Sequence, residues 1–466
     1  MNDRVMLIVV VMAIYLVVML IVGLKGRKYG ETNQDFMTAA KQGAMFMVVG
    51  SYLGSHLGNG VVVGGAQYVA LYGIGGLWYG AGAALSYVLF GLVMAKIVYK
   101  RGYITLPDVL ARCYGDKITT VLIAILHYCA MIAICAGQIM AGRLLFEYAG
   151  LPGVWGAIIT FLIVMVYSSM SGLWGVLMTD VLQSTVIFVV TIAIVIWIFA
   201  NGGGAIMTEN LPATQFDVMP FDAETMIMMF GPTALFGLTS ATAFQRTVAS
   251  KTKRIAFWAP LIASALVVAY AALPVVMGMY GHALWPEEDS STIFFKLMME
   301  GVPPFMGALM VVAVCAAIMS TCDGGLVAGS ANIVNDIYLK VINPDGEQDQ
   351  KKLSRITTAA TFIMGILALF VSLQFTNLIP LLSLAYSFIN AGALIMVVGG
   401  IFWKKATKEG AIASFVIGVG LTALNSAGII SLPYASVLPL VPALIAIVIV
   451  SLLTQKGKVN PEAAGD

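Results

Sequence analysis

Several stretches of this 466-residue chain place oxygen-bearing side chains and glycines inside otherwise apolar sequence. One reads Ala316-Ala317-Ile318-Met319-Ser320-Thr321-Cys322-Asp323-Gly324-Gly325. Ser320 and Thr321 follow Ala317 by three and four positions, so on a helix all three share a face. Two hydroxyls and one exposed carbonyl would converge there, a neutral oxygen set suited to a hard monovalent cation. The alternative is hydroxyls bonding back to their own helix. A second stretch, Gly54-Ser55-His56-Leu57-Gly58-Asn59-Gly60, is a poor continuous helix, since each Gly costs up to about 1 kcal/mol against Ala. Its glycines could instead serve close helix packing. A third, Ser171 to Gln183, carries Asp180, read either as a cation ligand or as an interfacial helix cap. Gln138, and the group Tyr386, Ser387 and Asn390, are further candidates for a polar cavity. Arg143 and Glu147 are spaced as an i,i+4 ion pair.

These residues sit in an unusual chain. Only 10% is charged and 60% is hydrophobic, against roughly 25% charge in soluble domains. Mean hydropathy is +0.94. Such a chain cannot cover a globular surface with polar groups, and it is too apolar to be disordered. It reads as an all-α integral membrane protein whose partners are the bilayer and a small solute, active as a monomer or, alternatively, as an oligomer. The absence of a basic tract argues against nucleic-acid binding. Five cysteines without a C-x-x-C pair and three scattered histidines exclude a disulfide scaffold and a metal-spaced cluster. No nucleophile–base constellation supports an enzyme.

Thirteen apolar runs are long enough to span: 5–24, 42–71, 76–98, 118–148, 155–173, 178–200, 225–245, 255–280, 303–335, 356–375, 379–402, 409–430 and 435–454. The first is too long for a signal peptide and lacks a small-residue cleavage site. Lys25, Arg27 and Lys28 follow it and only Arg4 precedes it, which predicts an outer N-terminus and a cytoplasmic C-terminus in the plasma membrane. Alternating from there places all 25 Lys and Arg on the cytoplasmic side except Arg4, Arg143 and Lys296.

The second and seventh runs are both interrupted, the first by its glycines and the other at Gly231-Pro232-Thr233 and Gly237-Leu238-Thr239-Ser240. They lie five spans apart and run in opposite directions. That predicts two inverted five-helix repeats, over 42–224 and 225–408, flanked by 1–41 and 409–466. Freed carbonyls at the breaks can bind a cation and freed amides can meet a solute.

Four segments resemble the sodium:solute symporter family, which includes proline, pantothenate, sialic-acid and galactose symporters. Asp35-Phe36-Met37-Thr38-Ala39-Ala40-Lys41 resembles its short motif before the first core helix. Ser171 to Gln183 is similar to its G-G-L-x-A-V-x-x-T-D-x-x-Q segment, and Gln245 to Lys251 to its Q-R-x-x-A-x-K loop. Met319-Ser320-Thr321 and Asp336-Ile337-Tyr338 resemble its eighth core helix. The resemblance implies the leucine-transporter-like fold, with discontinuous first and sixth core helices, and sodium-driven uptake by alternating access. It carries the main sodium site onto Gly54, Leu57, Ala317, Ser320 and Thr321, and a second onto Asp180 with Ser320 and Thr321. Gly54 stands where the family usually has Ala, Gly324 where it commonly has Ser, and His56 where proline symporters have aspartate. With His56, Asn59, Gln138, Tyr386 and Asn390 around the cavity, a neutral or anionic solute is expected: a carboxylate, amino acid or sugar. A proton-coupled carrier of the same fold and a non-transporting membrane sensor are the alternatives.

Overall fold

A computed structural model describes residues 3–26, 38–168, 172–290, 292–344, 349–375 and 378–455. Asp35, Phe36 and Met37 of the first motif, Ser171 of the second, and Arg27, Lys28, Lys456 and Lys458 lie outside them. The described residues are helical almost throughout, with one isolated bridge between Gly43 and Ser250. Nine helices among them are long and apolar enough to cross a membrane, and two bent pairs raise the number to eleven. Two shorter apolar helices, Gly153–Val166 and Leu440–Thr454, fall on the predicted fifth and thirteenth spans.

The predicted interruptions are both present, in different ways. The second span divides into Met45–His56 and Asn59–Tyr72, and the axis bends by 44° between them. Gly58 is extended there (φ −69°, ψ 177°) and takes the chain out of the helix. The seventh span divides into Ala223–Thr239 and Ala241–Ala249, bent by 42°. Pro232 does not make this break, as the sequence suggested; it lies inside the helix Ala223–Thr239. The chain turns instead at Ser240 (φ −72°, ψ 108°), whose hydroxyl accepts the Ala243 N–H at 3.3 Å and caps the helix Ala241–Ala249. Asn390 braces this span from the eleventh. Its Nδ2 donates to the Pro232 carbonyl at 2.8 Å, and its Oδ1 accepts from the Thr239 hydroxyl at 3.2 Å.

Glycine lets these broken helices approach their neighbours. A Cβ on Gly237 would fall 2.0 Å from the Ser86 carbonyl oxygen of the third span, and one on Gly82 would fall 2.7 Å from the Phe230 carbonyl. The third and seventh spans are therefore in backbone contact. The ninth span, Pro304–Ala331, continues as a π-helix over Asn332–Ile342, several residues beyond its predicted end. Lys340 on this extension lies 2.8 Å from both Asp336 and Asp108. Asp108 belongs to Leu106–Tyr114, a short helix between the third and fourth spans that is capped by Thr105.

The acidic segment before the seventh span starts that helix in the ordinary way. Asp222 accepts the Thr225 N–H at 2.8 Å, which holds its carboxyl below the usual carboxylate range. The first span packs Tyr15 and Met19 against the sixth and ninth spans and leaves most of its other side chains outward.

Gly237→Val is expected to lower the yield and thermal midpoint of folded protein in detergent, since overpacking costs typically 1–3 kcal/mol, about what this contact would suffer. An unchanged melting profile would show that the third and seventh spans do not meet through this backbone contact.

Candidate functional site

The site is built where the break of the second span meets the ninth span. Ending a helix at His56 leaves its last carbonyls without helical donors. The Leu57 N–H still reaches the Leu53 carbonyl at 2.7 Å, but the Asn59 N–H turns away to Gln138 Oε1 at 2.9 Å. The N–H groups of Val61 and Val62 both go to the Gly58 carbonyl. The carbonyls around Gly54 and Leu57 are thereby released.

Thr321 faces this break. A Cβ on Gly58 would lie 2.4 Å from Thr321 Oγ1 and 3.2 Å from Gln138 Oε1, so only glycine admits the approach. Thr321 Oγ1 is buried and has no hydrogen-bond partner among the described residues. Ser320 is fully buried and its hydroxyl donates to the Ala317 carbonyl at 3.2 Å. Two of the readings offered for this trio therefore coexist. Ser320 bonds back to its own helix, and Thr321 leaves its oxygen free beside the break.

Asp180 lies well inside the helix Gly172–Ala200 and is fully buried, so it is not an interfacial cap. The sequence showed no basic neighbour on its own helix; the partner comes from the seventh span. Arg246, itself fully buried, places NH2 3.1 Å from Asp180 Oδ2. Its Nε donates to the Ser51 carbonyl at 3.2 Å and its NH1 to the Thr242 carbonyl at 3.1 Å. The Ser51 hydroxyl donates to Asp180 Oδ2 at 2.5 Å. One guanidinium thus ties the helices Met45–His56 and Ala241–Ala249 to the sixth span. Asp180 Oδ1 keeps no partner among the described residues.

The glycine departures noted in the sequence line this pair. A Cβ on Gly54 would lie 3.0 Å from the Asp180 carboxylate, and one on Gly324 would lie 2.9 Å from Arg246 NH2. Asp323, also fully buried, accepts from the Ser168 hydroxyl through one oxygen and leaves the other unpartnered.

Beside the break lies a cavity between the second, third, fourth, seventh, ninth and eleventh spans. Of the predicted solute residues it is lined by His56, Gln138 and Tyr386. Asn59 and Asn390 are not on its wall. Asn59 is buried behind the break, and both ends of the Asn390 amide are engaged in bracing the seventh span. Arg143 also stays out: its Nε is 3.0 Å from Glu147 and its NH1 donates to the Ser372 carbonyl. The wall gains Tyr79, Phe236 and Thr242, which sequence reasoning missed. Only the break on the seventh span pointed toward Phe236 and Thr242. Arg246 was visible in the Q-R motif, but pairing across spans has no signature in local spacing.

Two helices broken within an all-helical bundle, around a cavity with unpaired oxygens, define a secondary transporter of the leucine-transporter-like fold. The comparisons with known proteins agree. The solved structure of a Na+-coupled sialic acid symporter, in its substrate-bound outward-open state, superposes with a TM-score of 0.79 at 17% identity, covering 96% of this chain and 98% of that one. The transporter MhsT in complex with L-phenylalanine superposes with a TM-score of 0.57 at 14% identity, covering 88% and 98%. Among sequences, the Sodium/pantothenate symporter of Escherichia coli is 24% identical over 89% of this chain and 88% of its own length. The High-affinity proline transporter PutP of Bacillus subtilis is 24% identical over 83% and 87%. Residues 36–418 match the sodium:solute symporter family, and the chain belongs to it.

Because Asp180 and Arg246 are both fully buried, removing either partner strands the other. Arg246→Met and Asp180→Leu are each expected to cost about 3–5 kcal/mol of stability. The double variant should recover a large part of that loss. Thermal unfolding of all four proteins checks this, and losses that simply add would show that the two side chains do not act as a pair.

Proposed function

We propose that the chain is a sodium-coupled symporter that imports a small polar organic solute by alternating access. The observation that carries this reading is the unpartnered Thr321 oxygen held against Gly58, beside the carbonyls freed at the break. A monovalent cation there would bond the carbonyls of Gly54, Leu57 and Ala317 with the hydroxyls of Ser320 and Thr321. Binding would stabilise contact between the second and ninth spans. Ser320 would turn its hydroxyl from the Ala317 carbonyl toward the ion, a single rotamer change.

Asp180 has a different part in this proposal. With Arg246 holding one carboxylate oxygen, its free Oδ1 is the atom left to meet a second cation. Whichever ion enters must do so beside a fixed positive charge, so this site would be weaker than the main one.

The repeats are assigned to 42–224 and 225–408, each opening on a broken span, with 1–41 and 409–466 as flanking segments. The sorting of Lys and Arg supports an outer N-terminus and a cytoplasmic C-terminus in the plasma membrane. Sodium entry is then driven by its gradient and by an inward-negative potential worth roughly 2.3 kcal/mol per charge per 100 mV. Coupling is the difference in sodium affinity between outward- and inward-facing states. The relatives named for pantothenate and proline support a small organic solute.

Sodium should raise the thermal midpoint of the purified chain over potassium at equal ionic strength, because a ligand of the folded state stabilises it. Ser320→Ala or Thr321→Ala should raise the sodium concentration needed for half of this effect by roughly 10-fold, the loss of one charge-assisted contact. Equal sodium dependence in both variants and the parent chain would remove this site assignment.

A further inference from the structure

We infer that the solute is a small monocarboxylate that also carries a hydroxyl or N–H donor, and that Gln138 and His56 read those two features. This rests on the cavity being the transport site. Gln138 is only 2% exposed. Its Oε1 accepts the Asn59 N–H at 2.9 Å, which fixes which way the amide points. Nε2 is therefore the end left to donate, and Gln138 lines the cavity.

The helix Asn59–Tyr72 starts at the same place. Its N-cap, Gly58, supplies no side-chain acceptor, and Gly58 and Gly60 lie on the cavity wall. A helix N-terminus favours negative charge. Gln138 Nε2 and this helix start together make a receptor for an anionic oxygen.

His56 supplies the opposite function. The Ser86 hydroxyl donates to the Ala83 carbonyl at 2.7 Å. In the 2.9 Å contact between His56 Nε2 and Ser86 Oγ, the ring is then the donor. A neutral ring with its proton on Nε2 leaves Nδ1 as an acceptor. His56 lines the cavity, and Nδ1 is the ring atom left to meet a solute donor. A solute that satisfies both groups must bring an acceptor to Gln138 and a donor to His56.

The remaining wall narrows the class. Among the described residues it carries no Asp or Glu, so no carboxylate on the wall pairs with a cationic solute. An aromatic cage for a quaternary ammonium needs open ring faces. Here Phe236 and Tyr386 stack on each other with centroids 4.5 Å apart, and His56 lies over Tyr87 at 4.0 Å. Met131, Ile134 and Leu382 face the space between, which suits an apolar body better than the ring of hydroxyls on a sugar.

The test is the thermal midpoint of the full chain in detergent, in sodium chloride and in potassium chloride. The probes are lactate, 3-hydroxybutyrate, 3-phenyllactate, proline and pantothenate, the amide of each, the analogues without the hydroxyl, choline and galactose. At least one hydroxy or amino acid should stabilise the chain in sodium, and its amide and deoxy analogue should bind at least ~10-fold more weakly. His56→Phe keeps a ring of similar shape and should bring hydroxy acid and deoxy analogue to within about twofold, while binding of the deoxy analogue persists. Stabilisation by amides equal to that by acids, by choline or galactose, or by no acid at all would overturn the solute class. Sodium alone is measured in the same series. A sodium shift without any acid shift would leave the sodium site standing and remove only this inference, whereas an acid shift equal in potassium and sodium would remove the coupling instead.

Discussion

The backbone cannot be left unsatisfied inside a bilayer, and the break in the second span does leave it so. In hydrocarbon each freed carbonyl costs several kcal/mol unless protein, water or an ion meets it. Gly58 makes the break, and its missing side chain lets Thr321 reach it. The amide of Gln138 covers one freed N–H on the other side. What remains open is a set of carbonyls and one unpartnered hydroxyl, an arrangement whose natural complement is a cation. The rest of the bundle holds these few atoms in register. The seventh span bends at Ser240 beside the same cavity, and Asn390 braces it at the proline and at the break.

Charge is used sparingly and in two places. Outside the core, Lys340 joins Asp108 to Asp336, and Lys296 pairs with Glu288. Inside it, Arg246 bonds Asp180 and the carbonyls of Ser51 and Thr242. A guanidinium has a fixed fork of donors and stays ionised, which suits it to hold several elements at once. The helix Met45–His56 cannot swing away from the sixth and seventh spans without breaking that set. The energetic cost of separating these elements is thereby concentrated in a few bonds, next to the place where the cation is proposed to bind.

Much of this was legible in the sequence because membrane chains are constrained in simple ways. Runs of apolar residues located the spans, and glycine with midspan polar groups located the second break. The seventh break was predicted on the correct span but attributed partly to Pro232. Pro232 sits inside the helix Ala223–Thr239, and Asn390, from a distant part of the chain, adds a hydrogen bond to its carbonyl. Asp180 was singled out correctly as unusual, yet its partner was invisible, since Arg246 lies on another span. Asn390 looked like a cavity residue because it is polar in an apolar helix, but its amide meets the Pro232 carbonyl and the Thr239 hydroxyl. Sequence periodicity shows that such a side chain needs a partner but not whether that partner is solute or backbone. The glycines at 54 and 324 show the converse. Their meaning, room for a carboxylate and a guanidinium, emerged only with the packing.

The most direct measurement is a density map of the chain determined in sodium and again in potassium. The account predicts a sodium-dependent peak bounded by the carbonyls of Gly54, Leu57 and Ala317 and the hydroxyls of Ser320 and Thr321, absent in potassium. A sodium map in which Thr321 and the freed carbonyls bond only to protein or to each other, with no ion between the second and ninth spans, would contradict it.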